Sequence, residues 1–197
     1  MAQKRAAMIV ETRNKLIKAA REAFAAKGYA DSSMDDLTAA AGLTRGALYH
    51  HFGGKQGLLQ AVIEQIDGEM MQRLSVIIDE AGSTWDGFID ESIAYIKMAL
   101  EPEIQRIVLR DGPAVLGAPS QWPDQSACMR STQRSVQKLI DEGSIENVDA
   151  EATAYLIMGG LRCASSWIAH ADDPHSASER AIEGFVTLAS GLLRKQA

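Results

Sequence analysis

Cysteine is scarce in this sequence, and it has no long apolar segment. Its two cysteines, Cys128 and Cys163, form no CxxC pair, and we interpret them as reduced thiols. No apolar run approaches the roughly 20 residues that a membrane-spanning helix needs. The first fifteen residues show no apolar stretch followed by a small-residue cleavage site, so a secretory signal is not indicated. We therefore expect a cytoplasmic protein with no membrane association.

The sequence also lacks the motifs of common enzyme classes. It contains no GxSxG, P-loop, GxGxxG or HExxH, and no Ser/His/Asp set with suitable spacing. We expect neither an enzyme nor a bound cofactor. Hydrophobic residues nevertheless make up 46% of the chain and charged residues 23%, which is the profile of a globular protein with a substantial core.

Charge is distributed unevenly along the chain. Residues 1–60 contain nine Lys/Arg and five Asp/Glu, a net charge of +4, whereas residues 61–197 have a net charge of −10. A basic N-terminal part (the head) followed by an acidic remainder (the body) is typical of a protein whose head binds a polyanion. Because uneven surface charge is common, this pattern alone favours DNA binding only modestly.

Helical periodicity runs through the whole chain. Apolar residues recur at three- and four-residue spacing, and no segment alternates as a strand does. The sequence predicts an all-α protein of about nine helices. We expect a three-helix N-terminal domain over residues 1–54 and a larger helical domain over residues 55–197.

Small polar residues predict where several helices begin. The candidate N-caps are Ser33, Thr44, Ser83 and Asp149. Ser176 followed by Glu179 has the spacing of a capping box. Residues 111–123 are the least regular part of the chain and are predicted to be a loop.

The segment from Ser33 to Lys55 has the layout of a helix-turn-helix. Two short helices flank Gly42, where the absence of a β-carbon permits a tight turn. Leu43 and Leu48 are expected to pack inward and fix the angle of the second helix. Its first side chains then project outward, where they can enter a DNA major groove.

Residues 12–66 resemble the DNA-binding domain of the tetracycline-repressor (TetR/AcrR-type) family. The resemblance includes the run LTRGALYHHFGGKQGLL together with Phe24 and Gly28. The Gly53-Gly54 pair departs slightly from the family, which often has a more polar pair before the lysine. The resemblance implies a ligand-responsive transcriptional regulator, most often a repressor that binds a palindromic operator as a homodimer and is released by a small molecule.

The same resemblance assigns roles to individual positions. Arg45, Gly46 and Ala47 lie where the family reads base edges, and a guanidinium can bind O6 and N7 of guanine together. The positions expected at phosphates are Ser33, Thr44, Tyr49, His51 and Lys55, with His50 a weaker candidate. Adjacent histidines on a helix point apart, so we expect no metal site.

The resemblance also implies dimerisation through the last two helices. Gly159 and Gly160 are costly inside a helix, and a close approach by another helix would explain them. The other predicted interface residues are Ile182, Phe185, Val186, Ala189 and Leu193. The alternative is that both helices pack only on the chain's own core.

An effector pocket is implied in the C-terminal domain. The candidate lining residues are Trp85, Phe88, Tyr95, Trp122, Met129, Tyr155, Met158, Arg162 and Trp167. Arg162 could anchor an anion. An aromatic or methionine residue at helical spacing is also compatible with ordinary core packing.

Two other functions are compatible with the sequence. A non-specific or architectural DNA-binding protein would discriminate little between sequences, and the acidic body argues against extended wrapping of DNA. An enzyme with a DNA-binding head is disfavoured by the missing catalytic motifs. The partners that the resemblance implies are double-stranded DNA with a palindromic operator, a second copy of the chain and a small-molecule effector.

Overall fold

The computed structural model describes residues 2–118, 122 and 125–194, and the side chains of all of these except 2–4 and 125–127. The described residues form helices and connecting turns, with one isolated antiparallel bridge between Ile145 and Leu193. The all-α prediction is confirmed. In these ranges, no helix is both long and apolar enough to cross a membrane.

Nine α-helices and one π-helical segment are present in the described ranges. The α-helices are α1 (Ala2–Lys27), α2 (Met34–Ala40), α3 (Arg45–Phe52), α4 (Lys55–Glu80), α5 (Thr84–Met98), α6 (Gly112–Leu116), α7 (Gln125–Asp141), α8 (Ala150–His170) and α9 (Pro174–Ser190). The π-helical segment, Ile104–Asp111, runs directly into α6.

Side-chain caps define the starts of the helices in the helix-turn-helix. The Oγ of Ser33 accepts a hydrogen bond from the backbone N–H of Asp36, at 3.0 Å. The Oγ1 of Thr44 accepts one from the N–H of Ala47, at 3.2 Å. Each bond satisfies a donor that the first helical turn leaves without an internal partner. The other two predicted N-caps, Ser83 and Asp149, begin α5 and α8 in the same way.

The predicted capping box at Ser176 and Glu179 is wrong, because α9 begins two residues before Ser176. Asp173 is the N-cap, and its Oδ1 accepts a hydrogen bond from the N–H of Ser176, at 3.1 Å. Pro174 occupies the first helical turn, where its missing N–H costs nothing. A carboxylate followed by proline is therefore the true start signal in this segment.

The predicted loop over residues 111–123 is also wrong in its first part. The π-helical segment reaches Asp111, and α6 continues to Leu116. Pro113 does not break the helix because it lies in the first turn of α6. The N–H of Gly112 donates to the carbonyl of Ile107, which continues the π-helical pattern into α6. Of the remaining predicted loop, residues 119–121 and 123 lie outside the described residues.

Contacts divide the chain into two compact units. The first comprises the described residues of 1–67 and 102–119, and the second those of 68–101 and 120–194. These limits differ from the predicted boundary between residues 54 and 55, because the first half of α4 belongs to the first unit. That half carries Leu58 and Leu59, which are fully buried.

Residues 102–119 join the first unit through polar contacts that no periodicity reveals. The guanidinium of Arg21 on α1 forms two hydrogen bonds with the Glu103 carboxylate, at 2.7 and 2.8 Å. The Asp111 carboxylate accepts a hydrogen bond from the backbone N–H of Tyr29, at 2.8 Å. The first unit is therefore larger than the three helices expected from the sequence.

The core of the second unit brings together helices that are distant in the sequence. Phe88 on α5, Leu139 on α7 and Ala189 on α9 belong to one buried cluster. The rings of Phe88 and Phe185 lie 6.1 Å apart, with an interplanar angle of 52°. Apolar burial and aromatic contact thus hold α5, α7 and α9 together.

Candidate functional site

Helix α3 presents its first turn to solvent and its opposite face to the core. Arg45, Gly46 and Tyr49 are exposed, and the Tyr49 side chain is 56% accessible. Leu48, on the opposite face, is fully buried and anchors the helix. The outward display that DNA binding requires is therefore present, and it is fixed by the burial of Leu48.

The turn between α2 and α3 depends on Gly42. Its φ of +65° lies in the left-handed region, which L-residues with a side chain rarely adopt. The backbone N–H of Leu43 donates to the carbonyl of Thr38 across this turn, at 2.9 Å. The tight turn predicted at Gly42 is therefore present between α2 and α3.

A second glycine, Gly57, is required where α3 passes into α4. A β-carbon at Gly57 would collide with the backbone carbonyl of Phe52. Only glycine permits this close approach of the end of α3 to the first turn of α4. Gly57 lies within the run LTRGALYHHFGGKQGLL, and its packing role was not predicted from the sequence.

Arg45, the predicted base reader, is paired in the free protein. Its Nε and Nη2 donate hydrogen bonds to the two carboxylate oxygens of Asp35 on α2. Both side chains are exposed. The guanidinium holds the pKa of the Asp35 carboxyl below its usual value. The sequence did not predict this pairing, because Asp36 is also acidic and lies in the same first turn of α2.

Lys55, a predicted phosphate contact, lies at the start of α4. Its Nζ is 4.1 Å from the centre of the Tyr29 ring and donates to the carbonyl of Ala30, at 3.4 Å. The cation–π contact holds the ammonium group near the first turn of α4. Ser33 and Thr44 use their hydroxyl oxygens as caps, which leaves each hydroxyl hydrogen able to donate to a phosphate.

The predicted phosphate contact His51 is half-buried. Burial, then the neighbouring His50 and Arg13, lowers the pKa of His51 below its usual value. Arg13 on α1 donates from Nη1 to the carbonyl of His51, at 3.1 Å, and its guanidinium lies 4.5 Å from the centre of the Phe52 ring. Arg13 therefore fastens the end of α3 to α1, a structural role that the sequence analysis did not identify.

The second unit contains a small cavity lined by α4, α5, α7 and α8. Its volume is about 20 Å³, close to that of a single water-sized group. Three of the predicted pocket residues line it, namely Phe88, Tyr95 and Met158. The other lining residues are Met71, Leu74, Glu91, Ser92, Cys128, Thr132 and Leu161.

The remaining predicted pocket residues do not line this cavity. Tyr155 and Trp167 lie on the exposed surface of α8, 59% and 43% accessible. Trp85 packs against Phe88, with ring centres 5.8 Å apart. The other three, Trp122, Met129 and Arg162, are partly buried elsewhere. Helical spacing identified apolar positions but not the direction in which each side chain points.

A larger and more open groove lies beside the start of α5. Its volume is about 620 Å³, and hydroxyl and charged side chains, among them Ser83, Arg134 and Lys138, line much of it. Apolar side chains line most of the small cavity, whereas this groove is polar and open to solvent.

The outer face of α8 and α9 carries large apolar side chains without cover from the chain itself. Leu156 on α8 is 78% accessible, and Leu188 on α9 is 79% accessible. Gly159 and Gly160 are exposed, and a β-carbon at either would meet nothing within 4 Å. Packing within the chain therefore does not account for these two glycines.

The predicted interface residues on α9 do not all belong to this outer face. Ala189 is only 4% accessible and lies in the chain's own core, against which Phe185 also packs. The assignment of Ala189 to a free surface is therefore wrong, because its neighbours within the chain already cover it. Ile182 and Val186 are half-buried, and Leu193 is 38% accessible.

An all-helical fold with an exposed helix-turn-helix defines a class of DNA-binding proteins, and comparisons with known families agree. Residues 85–192 match the family "Tetracyclin repressor-like, C-terminal domain", and residues 16–62 match "Bacterial regulatory proteins, tetR family". The chain belongs to the TetR family of bacterial transcriptional regulators. The predicted family is thereby confirmed.

Several known proteins share the overall fold or the N-terminal helix-turn-helix domain. A TetR-family transcriptional regulator from Pectobacterium atrosepticum is 50% identical, with a TM-score of 0.89 over 97% of this chain and 98% of that one. The Bacillus subtilis regulator FadR, solved in complex with stearoyl-CoA, is 18% identical (TM-score 0.68; 88% of this chain, 97% of that one) and shows the fold alone.

Curated relatives match over a shorter span. The transcriptional regulator SrpR of Pseudomonas putida is 51% identical over 63 residues, which are 32% of this chain and 30% of SrpR. The transcriptional repressor AcnR of Corynebacterium glutamicum is 28% identical over 68% of this chain and 69% of AcnR.

Proposed function

We propose that this protein binds a palindromic operator as a homodimer in the cytoplasm and releases it when a small molecule binds the second unit. The observation that carries DNA binding is the first turn of α3, where Arg45, Gly46 and Tyr49 are exposed while Leu48 is buried. Arg45, Gly46 and Ala47 would read base edges. Ser33, Thr44, Tyr49, His51 and Lys55 would contact phosphates, with His50 as a further candidate.

The outer face of α8 and α9 supports the proposed dimer. Leu156 and Leu188 expose large apolar side chains, and Gly159 and Gly160 leave room for another helix backbone. A second copy would bury this surface in an isologous contact. Ile182, Val186 and Leu193 would contribute at its edges, and Leu188 replaces the buried Ala189 in the predicted set. The dimer would display two copies of α3 to successive major grooves.

The small cavity supports effector binding. Met71 and Leu74 on α4 line it, and the same helix begins at Lys55, one of the proposed phosphate contacts. A ligand that moves α4 would change the position of the proposed DNA-contacting residues. The ligand must bind the DNA-free form more tightly than the DNA-bound form, because only differential affinity shifts the equilibrium. We propose no enzymatic activity.

Selection of bound duplexes from a random pool tests the proposal. We expect a two-fold symmetric motif whose half-sites are about one helical turn apart. No enrichment would overturn operator binding and favour the architectural alternative, in which affinity is independent of sequence. The protein exposed to the pool would be the full chain, and its mass in solution would be measured by light scattering in the same buffer.

A further inference from the structure

The small cavity in the second unit contains a carboxyl group without a partner. Glu91 lines the cavity from α5. Its carboxylate forms no hydrogen bond or ion pair with any residue in the described part of the chain. Glu91 is half-buried. Partial burial of a carboxylate without such a partner is unfavourable, and it is tolerated when the group is protonated or when a cation meets it.

Two hydroxyl groups of the lining donate to backbone carbonyls and not to Glu91. The Oγ of Ser92 donates to the carbonyl of Phe88, at 2.8 Å, and the Oγ1 of Thr132 donates to the carbonyl of Cys128, at 3.2 Å. Both hydroxyl groups therefore donate to a backbone carbonyl within their own helix, not to the Glu91 carboxylate. The described lining contains no Lys, Arg or His, so the wall provides no positive charge that could neutralise the carboxylate.

The rest of the lining is soft and apolar. Met71 and Met158 contribute thioether side chains, and Phe88 and Tyr95 contribute aromatic rings. Aromatic faces attract organic cations, most strongly when water is excluded. Burial raises the pKa of Glu91 to about 7, so a positive charge beside it would shift the group towards its ionised form near neutral pH.

We propose that this cavity binds a compact organic cation, with its ammonium group against Glu91 and its apolar part against Phe88, Tyr95 and Met158. The role of this cation as an effector rests on the proposed function. The proposed ligand class is a protonated amine or a quaternary ammonium ion that carries an aromatic or short aliphatic group.

The cavity must enlarge to admit such a ligand. Its volume of about 20 Å³ is smaller than any organic amine. Met71 and Met158 provide the means, because an unbranched thioether side chain changes rotamer at low cost. The Sγ of Cys128 lies 3.0 Å from the Sδ of Met71, and a moving Met71 would break this contact. The methyl groups of the two methionines should therefore report ligand entry directly.

Three benzyl compounds of different charge test the proposal. They are benzyltrimethylammonium, benzyl alcohol and the benzylsulfonate anion, each titrated into the full-length protein with isotope-labelled methionine methyl groups. We expect the cation to shift the resonances of Met71 and Met158 and to bind roughly tenfold or more tightly than the other two. Equal binding of all three, or shifts confined to other methionines, would overturn the proposal.

Two isosteric variants distinguish a specific effect of the Glu91 carboxylate from the effect of the overall negative charge of residues 61–197. Glu91→Gln should weaken binding of benzyltrimethylammonium by roughly tenfold and leave benzyl alcohol unchanged. Asp90→Asn is the matched control, because Asp90 is the exposed neighbour on the same helix and its change removes the same charge. Equal weakening by both variants would overturn the proposal.

Operator binding gives an independent readout. If the selected duplex is bound and benzyltrimethylammonium weakens its binding in the wild type but not in Glu91→Gln, the cation site is the effector site. If no duplex is selected, the proposed function fails, while the methionine titration still decides the cation site. A cation that occupies the cavity without changing operator affinity would overturn its role as an effector.

Discussion

Arg45 and Asp35, ten residues apart in the sequence, form a two-point ion pair on the exposed surface of the helix-turn-helix. The carboxylate engages Nε and Nη2 of the guanidinium, so Nη1 and the second hydrogen of Nη2 point away from it. Those two groups form the end of the fork that can bind O6 and N7 of guanine. The ion pair is therefore compatible with base reading and restricts the rotamers of Arg45.

Arg45→Ala should reduce affinity for the selected operator by about 1–3 kcal/mol and relax sequence preference at a single position of each half-site. The reason is the loss of a bidentate contact with a base edge. Fluorescence anisotropy on the operator and on single-base variants measures both effects. An equal loss on the operator and on scrambled duplexes would show that Arg45 contacts only phosphate.

Asp35→Ala should lower discrimination between the operator and its single-base variants several-fold, because Arg45 then samples more rotamers. Affinity for scrambled duplex should stay the same or rise, since the change removes a negative charge near DNA. Asp36→Ala is the control, because Asp36 is an exposed neighbour whose side chain is not the one paired with Arg45. Identical behaviour of the two variants would argue that Asp35 acts only through its charge.

Lys55→Ala should weaken binding to all duplexes alike and reduce the slope of log affinity against log salt by about 1 per protomer. The expected cause is the loss of one phosphate contact at the start of α4. Titrations at several salt concentrations give the slope. An unchanged slope would place Lys55 outside the interface and leave it with its contact to Tyr29.

Leu188→Arg should convert the dimer into a monomer and abolish tight operator binding, because it places a charge in the proposed apolar interface. Val76→Arg is the control, since Val76 is also exposed but lies on α4. Light scattering at micromolar concentration gives the mass of each variant. A wild-type protein that is itself monomeric, or a dimeric Leu188→Arg variant, would contradict the proposed interface.

Glu91→Gln should stabilise the protein near pH 8 by about 1–3 kcal/mol, with a smaller gain near pH 5. Burial raises the pKa of Glu91 from 4.5 to about 7, so between these values the folded state binds more protons than the unfolded state. The wild type therefore loses stability as the pH rises through this window, and the variant lacks that loss. Tyr95 and Cys128, the other titratable groups of the wall, are present in both proteins. Urea denaturation at both pH values measures the difference.

Local signals predicted most of the first unit correctly. The caps at Ser33 and Thr44, the left-handed turn at Gly42 and the burial of Leu48 all follow from short-range chemistry. The predicted loop from residue 111 was wrong because the proline signal there is ambiguous. The apolar side chains of Ile104 and Ile107 lie in the helix that precedes Pro113, and proline in a first helical turn looks the same in sequence as proline in a loop.

The assignment of individual pocket and interface residues needed three-dimensional information. Phe88 and Tyr155 were both predicted to line a pocket and Ala189 to lie in an interface. In the structure Phe88 lines a cavity, Tyr155 is exposed and Ala189 is in the core. Asp35 and Glu91 carried no signal that separates them from other acidic residues on helices. Their importance depends on which groups lie nearby, and the sequence does not specify those distances.

The helical class, the family and the outward-facing helix could be predicted from the sequence, because caps, turns and periodicity depend on residues that are close together in the chain. The tertiary structure alone decided that residues 102–119 pack with the N-terminal helices, that Arg45 pairs with Asp35 and that Glu91 lies unpartnered in an apolar wall. Contacts between residues far apart in the chain depend on how helices pack, and many packings satisfy the same apolar pattern.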